Sequence, residues 1–164
     1  MSKLKAWSVG IKRRIDTQKD NFYRSDYKFF KVDRLEKMAE RIDEFSDDCS
    51  QCENFKKETE EIVERLPEYI NGSPGKRKEY EKRNDTIVNH LRKDHDLYPH
   101  NYFTSVGSLS GIAAGINVFG GLSMLFFPEI LFHALIAGFL LGLFGGYFWG
   151  AAADKKQKKK NLIL

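Results

Sequence analysis

The sequence predicts an all-α protein in two unlike parts, a helical, coiled-coil-like domain followed by a C-terminal two-span transmembrane hairpin. Three observations predict it. Of the 164 residues, 27 are Lys or Arg and 23 are Asp or Glu, yet residues 97–153 contain only Glu129. A globular surface cannot leave a third of the chain without charge, so a single soluble domain is excluded. Between Leu35 and Leu66 the apolar positions alternate three and four apart, the spacing of a helical seam. Finally, no segment alternates apolar and polar residues with the period of two that a half-buried strand requires.

The membrane part comes first because its signal is strongest. Residues 102–127 and 130–153 are runs of 26 and 24 residues, each long enough at about 1.5 Å per residue to cross an apolar layer about 30 Å thick. Only Pro128 and Glu129 lie between them. Pro ends the first helix, and the carboxylate needs water, so the turn belongs at the far interface. Arg92, Lys93 and His95 precede the first span, and Lys155, Lys156, Lys158, Lys159 and Lys160 follow the second in a tail over residues 154–164. By the positive-inside rule both ends face the cytoplasm, with a bacterial inner membrane as the expected location. Tyr98, Tyr102, Tyr147, Phe148 and Trp149 would form the aromatic belt of that leaflet.

Small residues mark the helix faces. Gly138, Gly142, Gly146 and Gly150 recur every fourth residue in the second span, and Gly107, Gly111 and Gly115 do so in the first. A second row in the first span runs through Gly107, Ser110, Ala114, Asn117 and Gly121. Leu109, Ile112, Ile116 and Phe119 fall on the other side, facing lipid. Rows of this kind permit close approach of helix backbones. They serve either packing of the two spans on each other or, since two rows exceed what one partner needs, self-association into a homo-oligomer. Asn117, near mid-membrane, requires a hydrogen bond across an interface or contact with water, as in a pore. His133 reads as an interfacial group.

The part preceding the spans carries 22 basic and 21 acidic residues over residues 1–101, so the formal +4 belongs mostly to the Lys-rich tail. This argues against a nucleic-acid partner and for a tail held at an anionic bilayer. Residues 1–24 read as a basic amphipathic helix: Leu4, Trp7, Ile11, Ile15 and Phe22 share a face, with Lys3, Lys5, Lys12, Arg13, Arg14 and Lys19 around the rest. Such a stripe suits a helix on a membrane surface and equally one packed on neighbours. Residues 25–99 form the helical domain, with helices expected at about 28–66 and 76–96. The seam comprises Leu35, Met38, Ile42, Phe45, Cys49, Cys52, Val63 and Leu66, with Lys56 and Thr59 as exceptions. Tyr80, Ile87, Val88 and Leu91 point inward from the last helix. Two cysteines and no apolar run near the N-terminus suit a reducing cytosolic setting.

Candidate chemical sites are few. Cys49-x2-Cys52 with His90-x4-His95 has the residue types of a zinc site. On continuous helices, however, the cysteines are seam positions and two His five apart do not share a face, so no metal or other cofactor is expected. Arg83-Asn84 followed by His90 resembles the Arg-x(4 to 6)-His signature of the HEPN ribonucleases, which implies RNA cleavage by paired subunits. On an unbroken helix these two residues stand about 10.5 Å apart, so only a dimer or a break could join them. Gly115-Ile116-Asn117, with a preceding helical domain, two spans and a Lys-rich tail, resembles the two-span magnesium channels with their Gly-Met-Asn signature. The likeness implies the architecture; Asn117 sits halfway along its span rather than at the outer end. No glycine-rich nucleotide loop, Ser/His/Asp set or paired catalytic carboxylates occurs, so no catalytic residue and no enzyme is expected.

The leading expectation is therefore a two-span membrane protein that self-associates through its glycine faces as a pore or membrane-perturbing effector, controlled by the helical domain. The alternatives are a membrane-anchored adaptor docking a cytoplasmic protein partner, and HEPN-like cleavage by Arg83 and His90.

Overall fold

The computed structural model describes residues 6–19 and 22–164, and every regular element in them is helical. Lys3, Leu4 and Lys5 of the N-terminal stripe lie outside the described residues. The chain divides into two units, one reaching Leu97 and including Leu164, the other spanning Tyr98–Ile163.

The first unit begins with α1 (Ala6–Lys19) and α2 (Arg24–Phe29), followed by α3 (Val32–Phe45) and α4 (Ser50–Glu64). It is completed by α5 (Leu66–Asn71) and α6 (Pro74–Asp94). The single helix expected over residues 28–66 is thus mainly two, α3 and α4, with the end of α2 and the start of α5 at its margins. Its first break is Lys31, which holds a left-handed φ of 52°. The second is the run Ser46-Asp47-Asp48-Cys49, whose short polar side chains compete for backbone groups and favour turns over helix interior. Ser46 illustrates this by donating its hydroxyl to the Asp43 carbonyl at 2.9 Å. The expected end at Leu66-Pro67 is where α5 starts, with Pro in its first turn, the one place in a helix that needs no N–H from it.

The core draws on every long element. Ile11 and Ile15 of α1, Leu35, Met38 and Ile42 of α3, Ile62 of α4, Tyr69 of α5, and Ile87 and Leu91 of α6 are all at most 2% exposed. Full burial of such an aliphatic side chain contributes about 1.5–3 kcal/mol. The apolar stripe of α1 therefore faces protein, and α1 packs on α3 and α4. Asp43 explains one seam exception. This carboxylate, 2% exposed, accepts the Ser8 N–H at 3.0 Å and lies 3.5 Å from the Lys56 ammonium. Lys56 also lies over the Trp7 ring, while Trp7 donates its indole N–H to Glu60 at 2.6 Å. One charge pair, of a buried carboxylate and a half-buried lysine, thus ties three helices together.

The second unit is α7 (Tyr102–Phe126), a 3-10 turn (Pro128–Ile130) and α8 (Leu131–Lys159). Both long helices have the length and apolarity to cross a membrane. They run antiparallel, Gly107 facing Gly146 at one end and Gly115 facing Gly138 at the other. The large apolar side chains point outward, among them Leu109, Leu125, Phe132, Phe144 and Trp149. α8 continues through most of the lysine run expected as a separate tail. Lysines there complement the negative end of the helix dipole.

Candidate functional site

The sequence marks the helix faces of the second unit, and there the glycines do one thing. A Cβ added at Gly107, Gly111, Gly115, Gly138, Gly142, Gly146 or Gly150 would lie closer than 3.0 Å to a backbone atom of the opposite helix. In six of the seven cases the obstructing atom is the carbonyl oxygen of a facing glycine; for Gly150 it is that of Phe103. The two rows are each other's partners, allowing backbone-to-backbone approach and Cα–H contacts to carbonyl oxygens.

The second row of α7 is left over. Ser110, Ala114, Asn117 and Gly121 are exposed. Nothing lies within 4 Å of a Cβ at Gly121 or at Gly145 of α8. Asn117 donates its amide to the Ala113 carbonyl at 2.7 Å, so one donor is satisfied within its own helix. Lys155, Lys156, Lys158, Lys159 and Lys160 are exposed on the last turns of α8 and beyond.

Asp154, the single acid of residues 154–164, does structural work. Its carboxylate accepts the N–H groups of Phe103 at 3.1 Å and Thr104 at 2.8 Å, together with the Thr104 hydroxyl at 2.6 Å. These N–H groups belong to the first turn of α7, where a helix has no internal acceptor for them and its dipole favours an anion. The cap comes from the other helix, so it also locks the open end of the pair. The signal in the sequence was an acid following directly on an apolar span.

The first unit holds a second constellation, the four residues Cys49, Cys52, His90 and His95. Cys49 is the N-cap of α4, with an extended φ of −131° and ψ of 107°, rather than a position within a continuous seam. Cys52 follows one turn later and donates its N–H to the Cys49 sulfur at 3.5 Å. From the other side come His90, one turn before the end of α6, and His95, just past it. The helix ends at Asp94, His95 takes φ −127° and Asp96 the left-handed φ of 54°. That ending brings the two imidazoles together, against the expectation from an unbroken helix. His90 Nε2 lies 3.4 Å from both sulfurs, and His95 Nε2 lies 3.3 Å from the Cys52 sulfur. All four donor atoms fall within 4.8 Å of one another. His90 Nδ1 is 2.8 Å from the Asp94 carboxylate. Phe45 stacks on His95 with centroids 4.1 Å apart, and Phe55 lies 5.3 Å from His90. Burial, then the neighbouring Cys49, pushes the Cys52 thiol up to about 12. Burial, then His90, lowers His95 and favours its neutral form.

Arg83 and His90 do not meet. The Arg83 guanidinium donates to Glu58 at 3.2 Å, to Glu61 at 2.7 Å and to the Tyr69 hydroxyl at 3.2 Å, while His90 faces the cysteines. Within one chain the two residues of the HEPN-like motif are therefore committed to different neighbours.

Comparison with protein-family models, with curated proteins and with solved structures finds no match to the chain.

Proposed function

We propose that this is a membrane-anchored adaptor: the antiparallel helix pair spans the bilayer as a complete anchor, and the helical domain docks a protein partner in the cytoplasm. The observation that carries this reading is the mutual occupation of the two glycine rows, which leaves each helix presenting mainly large apolar side chains outward, as an anchor in lipid does. The exposed lysines after the second span and the absence of Lys or Arg between the spans support both ends facing the cytoplasm. A bacterial inner membrane is the setting we assign.

The test is topology and retention together. In membrane vesicles, alkaline carbonate should leave the protein in the pellet, and protease added from the cytoplasmic side should remove residues preceding the spans and the Lys-rich tail while sparing the helix pair. Extraction by carbonate would overturn the anchor.

Self-association into a pore or membrane-perturbing effector is the second reading, and one observation favours it. The row Ser110, Ala114, Asn117 and Gly121 is exposed and small enough to receive another helix. On that reading Ala114→Leu abolishes both the oligomer and ion conductance in liposomes. If the row is idle, the protein is monomeric and does not conduct with or without the substitution.

A further inference from the structure

We infer that Cys49, Cys52, His90 and His95 bind one Zn²⁺ ion in a closed tetrahedral site that ties the start of α4 to the end of α6. The inference concerns the first unit alone and does not depend on how the helix pair meets the bilayer.

Hydrogen-bond accounting comes first. With His90 Nδ1–H donated to Asp94, His90 Nε2 has a single lone pair, yet two sulfurs lie at the same 3.4 Å from it. Only one thiol can donate there. The Cys52 sulfur in turn has both imidazole Nε2 atoms within 3.4 Å. Two thiol protons can serve one contact to each imidazole, which leaves the third close S···N contact without a proton, whereas one cation at the centre takes a lone pair from all four atoms.

The dimensions agree. With Zn–S of about 2.3 Å and Zn–N of about 2.0 Å, a tetrahedral S₂N₂ site has S···N edges of about 3.5 Å. Three of the four S···N edges are 3.3–3.4 Å, and all four donor atoms lie within 4.8 Å of one another, close enough to converge on one ion. A cysteine pair separated by two residues and a histidine pair separated by four also match the ligand spacing of structural zinc sites.

The surroundings are those of a metal centre as well. Asp94 holds His90 by Nδ1, which fixes the tautomer that presents Nε2 inward, the carboxylate–histidine–metal arrangement. The Cys52 N–H directed at the Cys49 sulfur stabilises negative charge there. Phe45 and Phe55 form an apolar wall beside the imidazoles. Two thiolates with two imidazoles select zinc over magnesium or calcium, which take oxygen ligands, and the S···N distances of 3.3–3.4 Å suit one shared ion rather than an iron–sulfur cluster, whose cysteine and histidine pairs sit on different irons. With four protein ligands no position remains for water, so the ion is structural and not hydrolytic.

The experiment uses the full chain in mild detergent, carrying a purification tag without histidine and handled without chelator. Elemental analysis should give one zinc per chain. Exchange for Co²⁺ should give the intense visible bands of four-coordinate cobalt together with thiolate-to-cobalt charge transfer. Both readings come from the wild-type protein, so they hold even if ligand variants fold poorly. Cys52→Ser and His90→Gln should lose the metal, and Asp94→Asn should keep it with an affinity roughly 10- to 100-fold weaker. A helical wild-type protein that arrives free of zinc and develops no charge-transfer band on titration with Co²⁺ would overturn the assignment. So would unchanged zinc content in a Cys49→Ser/Cys52→Ser variant, which would put the metal elsewhere.

Discussion

Gly142→Leu and Gly145→Leu are the same substitution three residues apart on one helix, and they should differ sharply. At Gly142 a Cβ runs into the Gly111 carbonyl oxygen, with the Gly111 carbonyl carbon at 2.7 Å and the Ile112 Cα at 3.2 Å. These are backbone atoms and cannot rotate away, so the helices must separate. Separation also pulls apart the flanking Gly107/Gly146 and Gly115/Gly138 contacts, because all three lie on one straight seam. Each Cα–H contact to a carbonyl forfeits about 0.5–1 kcal/mol, and each pair of heavy atoms drawn apart about 0.1–0.2 kcal/mol. The whole amounts to about 2–4 kcal/mol, or roughly a 30- to 700-fold rise in the opened form. At Gly145 nothing lies within 4 Å of the added Cβ, so the change should stay within about 0.5 kcal/mol. Opening can be followed by energy transfer between dyes carried on unnatural residues at the exposed positions 105 and 152, on neighbouring ends of the two helices, as SDS is titrated into mild micelles. Equal effects at the two positions, or none at Gly142, would refute the seam.

Three further outcomes are expected. Asp154→Asn keeps the shape of the side chain but loses its charge and one acceptor oxygen, so the pair should weaken by about 1–3 kcal/mol in the same titration. Ile11→Ala should lower the stability of the first unit by about 2–5 kcal/mol in thermal unfolding, because Ile11 is 2% exposed in its core; a helix lying on the membrane would instead show weaker liposome binding at unchanged unfolding temperature. Arg83→Ala should cost only about 1 kcal/mol and leave zinc content unchanged, since its ion pairs are partly solvated and separate from the cysteine and histidine cluster; loss of zinc would show that the two sites are coupled.

The apolar helices were legible because length and absence of charge are properties of a segment, independent of what it packs on. The glycine rows were legible as faces, but periodicity alone does not say what occupies a face. Only the placement of Gly111 against Gly142 and Gly115 against Gly138 identifies the second helix as occupant. The break before α4 was hidden by coincidence of spacing. Phe45, Cys49 and Cys52 continue the alternation of three and four while the chain turns between Ser46 and Cys49. The meeting of His90 and His95 was hidden for a related reason, since five residues apart on a helix they diverge. They converge because the helix stops at Asp94, and a periodic pattern marks the body of a helix far better than its end. Asp154 shows the complementary case, in which a carboxylate's partners lie about fifty residues away and no local pattern announces them.

The mass of the purified protein in mild detergent, measured by light scattering with the detergent contribution subtracted, tests the complete-anchor reading most directly. A single species of 19.0 kDa is expected, with Ala114→Leu leaving it unchanged. A closed ring of several chains that Ala114→Leu reduces to 19.0 kDa would contradict that reading, because the leftover face of α7 would then be an interface and the helix pair incomplete without its copies.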